Sequence, residues 1–98
     1  MTDYRERAKV YHAAIREILM NEWDPIGVLH IPEAQDEYDS YVGDVYRLLI
    51  THAKRHELFF HLWQLETDHM GLSGNRPRTE ATADRLIELR DKMEGGQS

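Results

Sequence analysis

The sequence predicts an all-α fold, a small bundle of four amphipathic helices. Apolar residues recur three to four positions apart along most of its 98 residues. No segment alternates apolar and polar residues over strand length with turn residues at both ends. Prolines or glycines close the first, third and fourth periodic stretches.

The first helix is expected from about Asp3 to Glu22, with Thr2 or Asp3 as N-cap and Tyr4, Ala8, Tyr11, Ile15, Ile18 and Leu19 as its apolar stripe. Pro25 ends it, because the ring biases Asp24 out of the helical region. Residues 26–35 hold a glycine and a second proline with no sustained period, which predicts a short loop. The second helix should cover about Asp36 to His52 through Tyr38, Tyr41 or Val42, Val45, Leu48, Leu49 and His52, with Gly43 as an interior weak point costing about 1 kcal/mol. A third runs from about Arg55 to Met70, with Leu58, Phe59, Leu62, Trp63 and Leu65 on its apolar face. Gly71 is placed to take a left-handed conformation after it, with Leu72 following. Ser73 to Arg78 form a polar loop. The fourth helix, about Thr79 to Met93, follows Ala83, Leu86, Ile87, Leu89 and Met93. Stripes of this kind must be buried against one another, which predicts one helical domain over residues 1–98.

The composition, 41% hydrophobic and 31% charged, supplies material for a core and a solvated surface, and so argues against disorder. Cysteine is absent, which removes disulfides, thiolate nucleophiles and thiolate zinc sites. The charged stretch Met1 to Lys9 leads into no apolar run of signal-peptide type. No uninterrupted apolar run is longer than Leu48 to Ile50, against roughly 20 residues for a bilayer span. The expectation is a cytoplasmic protein with no membrane partner.

The net charge of −6 disfavours a nucleic-acid partner, and its distribution is more informative than its sum. Residues 1–22, 47–72 and 73–98 each sum to zero. Residues 23–46 carry Asp24, Glu33, Asp36, Glu37, Asp39 and Asp44 with no lysine or arginine, so the whole net charge lies in 24 consecutive residues. Within them, Asp36-Glu37-Tyr38-Asp39-Ser40-Tyr41 mixes carboxylates with tyrosines. Tyrosine is enriched at interfaces, and carboxylates steer and orient a basic partner. The competing account puts Tyr38, Tyr41 and Val45 in the core, with the acids as their solvated side and as favourable charges in a helix's first turn.

Other candidate chemistry is thinner. Trp23-Asp24-Pro25 reads as a helix stop whose indole packs inward. The six histidines include His52 and His56 four apart, and Glu57 and His61 four apart. The first pair crosses the turn between helices, and there is no H-E-x-x-H arrangement. No serine or threonine stands in a nucleophile-elbow context, and Gly71-Leu72-Ser73-Gly74 lacks the lysine of a phosphate loop.

The strings Ile18-Leu19-Met20-Asn21-Glu22-Trp23-Asp24-Pro25-Ile26-Gly27-Val28, Asp36-Glu37-Tyr38-Asp39 and Met70-Gly71-Leu72 carry a resemblance. Over about residues 10–90 the chain resembles a bacterial family of uncharacterised proteins of roughly 100 residues with the same Trp-Asp-Pro-Ile-Gly-Val and Asp-Glu-Tyr-Asp motifs. The resemblance implies a small helical cytoplasmic bacterial protein. It brings no assigned activity, cofactor or catalytic residue.

The functional expectation is a binding module without cofactor, and not an enzyme. It engages a basic protein partner, as an immunity or inhibitor protein would, through Asp36, Glu37, Asp39, Tyr41 and Asp44 and the adjoining 24–33 loop. The alternative is a metal-dependent or general acid/base enzyme using His52, His56, Glu57 and His61. Leftover apolar surface leaves room for a homodimer.

Overall fold

Two prolines expected in loops open helices instead. The computed structural model describes residues 4–23 and 32–95, with side chains described over 6–23 and 38–95. Helix α1 spans Tyr4–Ile18 and continues as a π-helical turn, Leu19–Trp23; α2 spans Pro32–Ile50. Helix α3 spans Arg55–Gln64 and continues as a second π-helical turn, Leu65–His69; α4 spans Arg76–Gly95. Proline lacks the N–H that the first turn leaves unpaired in any case, so Pro32 and Pro77 fit where they stand. Helix α2 therefore starts four residues before Asp36, and α4 three before Thr79. The expected caps Thr2 and Asp3, the Asp24-Pro25 stop and residues 26–31 lie outside the described residues.

The all-α expectation holds: among the described residues every element is helical. Helix α4 packs against α3, α1 and α2, and α1 packs against α2. Ile15, Leu19 and Trp23 from α1 and its π turn meet Tyr38, Val45 and Leu49 from α2, Leu58 and Leu62 from α3, and Leu86 from α4. Trp23 is 1% exposed, so its indole packs inward as the sequence suggests. None of the described helices is long and apolar enough to cross a membrane.

Two helix ends rely on positive φ. His52 takes φ 61° after α2, with its N–H donating to the Leu49 carbonyl (3.1 Å) and the Ala53 N–H to that of Leu48 (2.9 Å). This is the Schellman closure, here with histidine where glycine is usual. His52 is thus an exposed turn residue and not part of the α2 stripe. Gly71, at φ 71°, takes the expected left-handed conformation, here after a π turn, and the Leu72 N–H donates to the Glu66 carbonyl (2.9 Å).

Candidate functional site

Leu58 and Leu62 lie on the buried side of α3, and Glu66 falls four residues further along the same register. It is fully buried. Its carboxylate accepts from the Trp23 indole N–H (3.2 Å) and the Thr79 hydroxyl through Oε1, and from the Asn75 backbone N–H (3.0 Å) through Oε2. Asn75 caps α4, its Oδ1 accepting from the Arg78 N–H at 3.2 Å. The negative group therefore sits at the positive end of the α4 dipole. Each π turn delivers one partner: Trp23 ends the first, and Glu66 lies in the second. The node joins α1, α3 and α4 and opens into none of the grooves described below, so its role is to hold the fold.

The expected binding residues divide. Asp36 and Glu37 stand in α2, but their side chains lie outside the described residues. Asp39 is exposed and accepts from Arg16 Nε at 2.9 Å. Asp44 pairs with Arg47 Nη2 at 3.3 Å. Tyr41 is 5% exposed, its ring edge-on to those of Trp23 and His69. Tyr38 is fully buried. Tyr41 is therefore a core residue, and the outward side of α2 offers carboxylates without tyrosine rings from this string.

Two shallow grooves meet at His61. One, about 440 Å³, is lined by Asp44, Arg47, Leu48, Thr51 and His61. The other, about 410 Å³, is lined by His61, Gln64, Leu65, Asp68 and His69. The His61 Nε2 atom is buried without a hydrogen-bond partner among the described residues. Desolvation pushes the His61 pKa down, and the Asp44 charge opposes this only in part, so the ring is neutral at pH 7. Sequence reasoning did not identify Asp68 and His69 as groove residues, because that depends on how α3 leaves its α-helical period. The largest groove described, about 460 Å³ between α1 with its π turn and α4, holds charges of both signs, and its arginine is engaged within the chain. There Arg85 Nε contacts Glu22 at 3.1 Å, and its Nη1 contacts Glu88 at 2.9 Å.

The four residues of the enzymatic alternative do not converge. His52 Nε2 contacts Glu94 at 2.9 Å, His56 is exposed at the start of α3, and Glu57 accepts from the Lys54 N–H at 3.2 Å. His61 faces the α2 side. No three histidine, aspartate or glutamate side chains among the described residues are arranged to hold a metal ion.

Compared with protein-family models, curated proteins and solved structures, the chain matches none.

Proposed function

We propose that this protein is a docking module for a basic protein partner, with an immunity or inhibitor role as its most concrete form, working in the bacterial cytoplasm and without catalysis. The docking surface is the outward side of α2, where Asp39 and Asp44 are described, together with Asp36 and Glu37 of the same helix by their place in the sequence, and the groove that begins at Asp44 and His61. One observation carries the reading: the whole net charge of −6 lies in residues 23–46, and the first cation after them is Arg47. The internal pairs of Asp39 and Asp44 do not work against it. Both are exposed, and such pairs contribute only about 0–1 kcal/mol, so an incoming arginine or lysine can replace Arg16 or Arg47 at little cost. The family resemblance adds no activity to this reading.

The test is charge reversal with a salt series. Wild type and the Asp36→Lys, Glu37→Lys, Asp39→Lys triple variant are used as bait under identical conditions, with circular dichroism confirming that both fold. A basic protein retained by wild type should be released between about 0.05 and 0.5 M salt and should not bind the triple variant. Capture by both forms with the same salt dependence would refute the proposal, as would the absence of any basic protein bound by wild type at low salt.

A further inference from the structure

Among the described residues the exposed large apolar side chains are Val10 (59%), Ile50 (47%) and Phe60 (57%). Single exposed apolar residues are ordinary, and Val10 and Phe60 border none of the described grooves. Ile50 is different. It ends α2 and forms part of the wall of a cavity of about 200 Å³. The cavity opens between α1, α2 and α4 at one end of the bundle. Ala8, Tyr46 and Met93 belong to the same wall and are half-buried, so the face is apolar yet still partly in water. An apolar cavity of about 150 Å³ admits the six carbons of benzene, so this one has room for an isoleucine side chain. A protruding isoleucine and a hole that accepts one therefore adjoin on a single face.

A two-fold contact requires one surface to carry both halves of every interaction. The charged members of the cavity wall, Arg7 and Glu94, meet that condition too. Arg7 Nη2 donates to the Met93 carbonyl at 2.7 Å, which leaves further guanidinium donors. The contact of Glu94 with His52, at 2.9 Å, is exposed and is exchanged at little cost. The charge of the whole chain favours the same face. Two copies, each at −6, repel wherever their acidic segments approach. Those acids extend away from the cavity: Asp36 is about 20 Å along α2 from Ile50. The acid of that segment nearest to Ile50 in sequence, Asp44, pairs with Arg47. Copies that meet at the cavity end join apolar, charge-balanced surface and keep the acidic stretches apart. We propose that a second copy of the chain covers this face. In the resulting two-fold dimer, Ile50 of each copy enters the cavity of the other, and Arg7 of each faces Glu94 of the other. A contact built around one cavity is small, so the dimer is weak and depends on concentration. It leaves the acidic side of α2 uncovered and holds whether or not a basic partner docks there.

Sedimentation velocity on the full-length protein from about 0.01 to 1 mM should show monomer giving way to dimer. Amide shifts that change with concentration should cluster at residues 7–11, 46–50 and 93–94. Ile50→Asp should weaken self-association about tenfold or more, while Phe60→Asp leaves it unchanged, with circular dichroism establishing that both fold. Mixing tests the charge pair. Arg7→Glu alone and Glu94→Arg alone should each self-associate about fivefold or more less tightly than wild type, because like charges then meet twice. An equimolar mixture of those two variants should regain wild-type affinity, since opposite charges meet again across the contact. A change acting only within one copy does not produce that recovery. The proposal is overturned by a monomer at every concentration, by shifts mapping elsewhere, by self-association that survives Ile50→Asp or is lost in Phe60→Asp, or by a mixture no tighter than its components. Should a charge variant fail to fold, the shift map and Ile50→Asp still decide.

Discussion

Removing the Glu66 carboxylate should cost this protein much of its stability. Glu66→Ala leaves the Trp23 indole N–H, the Thr79 hydroxyl and the Asn75 N–H without their common acceptor, at a site that is 0% exposed. Each buried donor left unpaired costs about 1–3 kcal/mol. Water entering the vacated space recovers part of that, so the expected loss is about 3–5 kcal/mol. Total stability for a chain of this size is about 5–10 kcal/mol, which makes the change comparable to half of it. Glu66→Gln keeps one oxygen but turns an NH₂ group toward a donor, for about 1–3 kcal/mol. Glu66→Leu should do no better than alanine, since it leaves the same donors stranded. Urea unfolding followed by far-ultraviolet circular dichroism gives the free energies, and Trp23→Phe alone and with Glu66→Ala completes a double-mutant cycle. A coupling of about 1–2 kcal/mol is expected for a hydrogen bond to a charged acceptor. A Glu66→Ala loss below about 1 kcal/mol, or a coupling near zero, would refute the view that this carboxylate joins the three helices.

Gly74 takes φ 88°, and a Cβ there would lie 2.6 Å from Trp63 Cη2, so Gly74→Ala should lose about 2–3 kcal/mol in urea unfolding. Trp63→Phe in the same background should relieve the clash and return part of the loss. His61 has a lowered pKa in the fold through desolvation, so the unfolded chain takes up its proton first as pH falls. Its contribution is complete above about pH 6.5 and declines below it toward the lowered folded value. His61→Gln should therefore unfold with less loss of stability between pH 7.5 and about pH 5 than wild type, and an unchanged pH profile would contradict the burial argument. Tyr41→Ala should destabilise by about 3–5 kcal/mol because the ring is core, whereas Asp39→Lys should stay within about 1 kcal/mol of wild type and act on partner capture alone.

Much of the fold could be read from spacing. Tyr11, Ile15, Ile18 and Leu19 are buried along the expected α1 stripe, as are Tyr38, Val45 and Leu49 along α2 and Leu58 and Leu62 along α3. What escaped was set by tertiary contact. A π turn inserts a residue into the helical period where packing rewards it, and nothing in Leu19–Trp23 or Leu65–His69 announces that locally. Glu66 escaped for a different reason. Its place in the 58, 62, 66 register was visible, but a carboxylate on a buried stripe reads as a break in the stripe unless its donors are known. Those donors come from Trp23, at the end of the first π turn, and from Asn75 and Thr79, at the start of α4, none of them on the helix that carries Glu66. The same dependence explains Thr79, buried on a face of α4 that the apolar pattern alone would have placed a turn later.

The acidic string shows how one set of residues can support two readings until geometry separates them. Written out, Asp36 to Tyr41 mixes acids with tyrosines and looks like a contact surface. On a helix each step turns the side chain by about 100°, so Tyr38 and Tyr41, three apart, share one side, and Val42, Val45 and Leu49 extend it into the core. Asp39 and Ser40 between them are exposed. The tyrosines are therefore accounted for by packing and lend nothing to a docking surface. The carboxylates are not accounted for in that way. A solvated helix side needs charge, but it does not need 24 residues without a single lysine or arginine when the other segments of the chain balance to zero. That imbalance raises self-repulsion within the folded state, which is a cost, and the two acids of the segment whose side chains are described, Asp39 and Asp44, meet cations only in exposed pairs. A cost of this kind is offset when an oppositely charged surface arrives, and for that reason charge reversal at Asp36, Glu37 and Asp39, not truncation at Tyr41, tests what the helix is for.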